Sequence, residues 1–162
     1  MRTTSRPGLL PRLAAGAGLA LALTLAAPQA PRAHLRIEID KTAQRMTIVV
    51  DGVRRHSWRI STGRASQTTP NGRFRPLKLV RDEYSRTYDA PMPYAIYFTN
   101  KGHAIHGTKA GVGEPASRGC VRVPLRKAAA LYAMVKRHGR RKTLIRVTGR
   151  DLELHEREIS AR

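Results

Sequence analysis

The stretch that decides the reading is Ala104-Ile105-His106-Gly107-Thr108 and, after a loop, Ala116-Ser117-Arg118-Gly119-Cys120-Val121-Arg122. Cys120 is the only cysteine in the chain and stands fourteen positions after His106. A lone thiol cannot close an internal disulfide. Ser, Gly and two Arg flank it, not the apolar run of a core cysteine. A thiol attacks carbonyls as its thiolate, and with a pKa near ~8.5 little of it is ionised at neutral pH. An imidazole such as His106 can take the proton, and Arg118 and Arg122 favour the anion. Gly119 allows backbone N–H groups to approach an oxyanion closely. A Cys–His pair of this kind suits acyl transfer through a thioester. The residues alone leave a second reading open, because free cysteine is among the most buried residue types and Cys120 can be inert core.

Leu35, Ile37 and Ile39 alternate with Arg36 and Glu38, and Met46, Ile48 and Val50 repeat the period of a half-buried strand. Asp51-Gly52 marks a hairpin turn. Trp58 and Ile60 continue the next strand to Ser61-Thr62-Gly63. A polar loop over 64–73 closes on Thr69-Pro70-Asn71-Gly72. Phe74, Leu77 and Leu79 are expected in one further strand. Residues 81–93, with Tyr84, Tyr88 and Pro91-Met92-Pro93, read as a long connection of the kind that forms lids. Residues 94–99 form a short apolar strand, turned by Asn100-Lys101-Gly102. Pro124 opens the one clear helix, with Leu125, Ala128, Leu131, Tyr132 and Val135 on one face. Lys136, Arg137 and His138 complement its dipole and Gly139 caps it. Leu144, Ile145 and Val147 predict a last strand. The expected architecture is mainly β with one principal helix near the C-terminal end. It forms one domain over 35–149, and a charged tail follows over 150–162.

The chain has 162 residues, with 31 Lys and Arg against 11 Asp and Glu, a net charge of +20. That field attracts polyanions: nucleic acid, anionic lipid or acidic wall polymer. Arg2, Arg6 and Arg12 precede an uncharged run over 13–27, followed by the small residues of a cleavage site up to Ala30. This is the pattern of a secretory signal peptide over 1–30. The apolar run is shorter than the ~20 residues that span a bilayer. An uncleaved anchor is the alternative, and would be the sole attachment to a membrane. Cleavage removes three of the positive charges and leaves +17. The expected location is the periplasm or cell envelope, where cysteines usually pair. Export makes nucleic acid an unsuitable partner, and no recognition motif for it is present.

The two segments around His106 and Cys120 resemble the signature of the L,D-transpeptidases, the YkuD or ErfK/YbiS family of bacterial cell-wall enzymes. That signature is His-Gly, a loop, then Ser-x-Gly-Cys-apolar-Arg (or Asn). Ile39-Asp40 with Gln44, Asp51-Gly52, Ser61-Thr62-Gly63, 69–74 and Met92-Pro93-Tyr94 follow the family's order of blocks, so the resemblance covers about residues 35–148. It implies a β-sandwich catalytic domain with Cys120 as nucleophile and His106 as base. The carbonyl of Gly107 would be the third member, and the N–H groups of Gly119 and Cys120 the oxyanion hole. The implied substrate is a peptidoglycan tetrapeptide stem. Cys120 would attack the carbonyl of its third residue, usually diaminopimelate, with loss of D-Ala. An amine of a second stem, or a lysine of a wall-attached protein, would resolve the thioester. No metal or organic cofactor is implied, and a monomer is expected.

Arg122 is expected to hold a substrate carboxylate or brace the loop. Ser117 is expected to bond within the site or cap the turn. Arg118 and Tyr94, with Tyr84 and Tyr88, are candidates for the substrate-binding wall, with core packing an alternative for Tyr94. His103 is expected to face solvent. Two features depart from the family pattern: Arg118 stands where many members have a second His, and the loop from His106 to Cys120 is short. Two other readings stay open: hydrolysis of the same bonds by an L,D-carboxypeptidase or amidase, and a non-catalytic basic module that adheres to wall polymer.

Overall fold

The computed structural model describes residues 34–151. The signal expected over 1–30 and the tail beyond Asp151 lie outside the described residues. Strands β1 (Leu35–Asp40), β2 (Arg45–Val50) and β3 (Val53–Arg59) form a meander. Strands β4 (Gly72–Phe74), β5 (Lys78–Ser85), β6 (Ala90–Tyr97), β7 (Ala104–Thr108) and β8 (Val121–Pro124) follow. Helix α1 (Leu125–His138) and strand β9 (Thr143–Thr148) complete the order. One sheet runs β3-β2-β1-β9-β4 and the other β5-β6-β7-β8.

Asp51 and Gly52 take φ of 50° and 85°, so both central residues of the β2–β3 turn are left-handed, as a two-residue hairpin requires. Strand β9 enters parallel to β1, with Ile37 opposite Ile145 and Ile39 opposite Val147. Alternation then puts Leu35, Ile37, Ile39, Met46, Ile48, Ile145 and Val147 on the inner face of the first sheet. Ile96, Ile105, Val121 and Val123 meet them from the second, and Ala128, Leu131 and Val135 of α1 close the core. Each such burial is worth about 1.5–3 kcal/mol. The helix ends as its sequence indicates: Gly139 has φ 82° and donates to Val135 O at 2.9 Å.

Two local expectations are corrected. Residues 74–79 are not one strand: β4 pairs with β9 in the first sheet, and β5 begins the second. Leu77 lies in the crossing and is exposed. Residues 81–93 are not an irregular connection but most of a β5–β6 hairpin, with Asp82 opposite Pro93 and Tyr84 opposite Pro91. Pro91 and Pro93 lack the N–H for a ladder and so disguise the strand in the sequence. They are tolerated here because β6 pairs with β7 only at Ile96 and Tyr97, so the half of β6 that carries them is an edge.

Asp151 is buried and pairs with the equally buried Lys41, Oδ2 to Nζ 2.9 Å.

Candidate active site

The second sheet has an outer face as well as a core face. Tyr97 lies opposite Ala104, and Ile105 lies beside Val121, so Tyr97, Ala104 and Cys120 form a row across β6, β7 and the start of β8. His106 lies beside Arg122 in the next row of the same face. Met92, Ala95 and Ala104 are buried there, with Tyr97 and Cys120 packed against them. Tyr94, between Met92 and Ala95, has a φ of 58°. An aromatic residue held there is strained, and such strain concentrates at functional sites.

This floor opens into a cleft of about 820 Å³ lined by Tyr94, His106, Gly107, Ser117, Arg118, Cys120 and Arg122 among others. All the residues expected at the site therefore border one cleft except Gly119, which is buried and absent from the lining.

His106 is buried, and its Nδ1 lies 3.0 Å from Gly107 O. A carbonyl only accepts, so Nδ1 carries the hydrogen and Nε2 is the basic nitrogen of the neutral ring. Burial pushes the His106 pKa below 6.5; the Gly107 carbonyl opposes this and the Arg122 charge adds to it. Burial likewise pushes the Cys120 thiol up, against a backbone bond from Ala104 and the charge of Arg122, which both favour the thiolate. Both shifts favour the uncharged form of each group. The Cys120 Sγ stands 4.0 Å from Gly102 O.

The segment before Cys120 is held from several sides. Ser117 Oγ donates to Cys120 O at 2.5 Å and accepts from Gly119 N–H at 3.1 Å. That bond engages the Gly119 N–H, which leaves the Cys120 N–H as the remaining expected oxyanion donor. Thr69 Oγ1 accepts from Gly63 N–H and donates to Gly119 O, both at 2.9 Å. Gly119 has φ +113°, and a Cβ there would meet His103 Cδ2 at 2.8 Å. His103 is therefore not solvent-facing: it is half-buried against Gly119, with Nδ1 2.8 Å from Thr99 Oγ1. Arg122 exchanges backbone bonds with Ser61, N to O 2.7 Å and O to N 2.9 Å. Its side chain reaches the cleft.

Tyr94 lines the cleft and also packs edge-on against Tyr132, with centroids 5.8 Å apart. Arg118 lies over the Tyr88 ring at 4.9 Å, which ties the tip of the β5–β6 hairpin to the cysteine segment. Tyr84 is exposed and bonds Asp89 Oδ1 at 2.6 Å, outside the cleft lining.

Tyr97 was not singled out in the sequence, and Gln44 and Thr69 stood there only within the blocks of the resemblance, with no role assigned. Gln44 is buried, donates to Thr62 Oγ1 at 2.7 Å and accepts from Thr62 N–H at 2.9 Å. It thereby fixes the 61–63 segment on which Ser117 rests. Their signal was thin: a polar residue within a turn or strand end shows its partner only in three dimensions.

A two-sheet β-sandwich that opens a cleft over a cysteine and a carbonyl-oriented histidine defines a class of mainly β domains with a Cys–His site. The chain belongs to one family within it, the YkuD family of L,D-transpeptidase catalytic domains, whose model matches residues 34–148. Its members are enzymes. An L,D-transpeptidase from Mycobacterium smegmatis is similar, with TM-score 0.64 and 24% identity over 71% of this chain and 58% of that one. One from Stackebrandtia nassauensis gives TM-score 0.65 and 25% identity over 80% and 62%. One from Enterococcus faecium gives 0.63 and 22% over 72% and 50%. Likenesses of this size establish the fold, and the chain spans less than two thirds of each of these proteins. No curated protein matches the chain in sequence.

Proposed function

We propose that the protein is an exported L,D-transpeptidase that acts on peptidoglycan tetrapeptide stems through a thioester on Cys120. The observation that supports it is the His106 Nδ1 bond to Gly107 O, which leaves a basic Nε2 on the cleft face that also carries the thiol. Burial keeps that imidazole neutral, and hence able to accept a proton, at neutral pH.

The Cys120 proton passes to His106 Nε2 as sulfur attacks the carbonyl carbon of the third stem residue. The Cys120 N–H stabilises the oxyanion. The C–N bond to D-Ala breaks, and His106 returns the proton to the departing amine. An acceptor amine then gives a proton to His106 and attacks the thioester. The C–N bond forms, the C–S bond breaks, and sulfur recovers the proton. Gly107 O holds the imidazole throughout. Arg122 steadies the thiolate, and Arg122 and Arg118 are placed for stem carboxylates. Ser117 braces the turn. Tyr94 forms part of the wall.

Incubation with a disaccharide-tetrapeptide, followed by mass spectrometry, tests the reading. A stem adduct on Cys120 with loss of D-Ala, followed by amine exchange or dimer formation, is the expected result. Trimmed stems alone mean hydrolysis. An unmodified Cys120 with no product removes the enzymatic reading and leaves a basic wall-binding module.

A further inference from the structure

We infer that Asp82 selects the acceptor by drawing a protonated amine into the cleft. This rests on the acyl-transfer reading above. The cleft lining carries four cations, Arg64, Lys109, Arg118 and Arg122, and a single carboxylate, Asp82. A primary amine with a pKa near ~10.4 arrives at neutral pH as an ammonium ion. The four cations repel it, and the excess of Lys and Arg over Asp and Glu across the chain adds to that repulsion. The same cations favour the donor, whose terminal carboxylate is an anion. A cleft of one sign would admit the donor and exclude the acceptor. Asp82 supplies the opposite sign.

Asp82 is also uncommitted. It takes part in none of the ion pairs among the described residues. The adjacent Arg81 is engaged elsewhere, over the Tyr94 ring at 5.8 Å. The position of the carboxylate is set by the β5–β6 ladder, where Asp82 lies opposite Pro93, itself a lining residue. The hairpin is in turn held to the cysteine segment by Tyr88 over Arg118. Asp82 thus acts before the chemistry. It holds the ammonium near the thioester, where it releases one proton to solvent, and the free amine gives a second to His106 as its nitrogen attacks the carbonyl carbon. The C–N bond forms, the C–S bond breaks, and His106 returns that second proton to sulfur.

The test measures aminolysis of the Cys120 thioester in the full chain with two nucleophiles, n-butylamine, cationic at neutral pH, and hydroxylamine, uncharged there. Asp82→Asn is close to isosteric and sits on an exposed strand position, so the fold is kept. The expected result is a fall of about fivefold in the second-order rate constant for butylamine, the size an exposed ion pair supplies. Hydroxylamine should react as in the wild type, and the butylamine effect should shrink at high salt. Asp82→Lys should exceed Asp82→Asn for butylamine alone. Equal changes for both nucleophiles, or none for either, overturn the inference while the thioester itself keeps the acyl-transfer reading. Absence of any thioester in the wild type overturns both.

Discussion

At Cys120 burial raises the pKa of the thiol, against the opposing effects of Ala104 and Arg122. Alkylation by iodoacetamide should therefore rise with pH along a curve displaced above that of an ordinary thiol. A midpoint below the ordinary value would show a preformed thiolate. The partner group sets the other limb. His106 protonates only below its usual range, so acylation should persist as pH falls through 6.5 and decline beneath it. His106→Ala should remove it across the range, measured as the rate of stem-adduct formation. Gly119 is constrained by space as well as by φ. Gly119→Ala drives a Cβ toward His103 at a left-handed φ, so a loss of about 1–3 kcal/mol in denaturant unfolding and of most adduct formation is expected. These residues were legible in sequence because chemistry restricts residue type: a thiol, a base and a glycine in fixed order. His103 was not, since its partner Gly119 is close only in the fold.

The elements around the site decide how firmly it is held. Thr69 joins Gly63 to Gly119, fully buried. Thr69→Val leaves both groups without that partner and should cost about 1–3 kcal/mol by thermal or denaturant unfolding. The Tyr88–Arg118 contact acts on the hairpin. Tyr88→Phe keeps a ring under the guanidinium and should preserve the KM for the stem donor, whereas Tyr88→Leu should raise it. Similar behaviour of the two variants would deny the ring a role. The hairpin was the element least visible beforehand, because Pro91 and Pro93 break the apparent strand pattern. Only the partial pairing of β6 with β7 explains why they fit. The split of 74–79 between two sheets was hidden for a similar reason, as alternation reports which face is apolar but not which sheet receives it.

Across the whole molecule, stability depends on a late contact. Asp151 closes the domain by pairing with buried Lys41. Asp151→Ala strands an ammonium in the interior and should cost about 3–5 kcal/mol in chemical denaturation, far more than an exposed ion pair. An unchanged midpoint would mean that Lys41 reaches water. Period and residue chemistry are local properties, so the strands and helix that alternation and capping define, and the thiol and base of one motif, are written in the order of the chain. That β9 returns beside β1, that Tyr97, Ala104 and Cys120 share a row, and that Asp82 meets four cations in one cleft are products of the fold. Those depend on strands distant in sequence becoming neighbours, and the burial of a shared core, not any local preference, sets which strands meet.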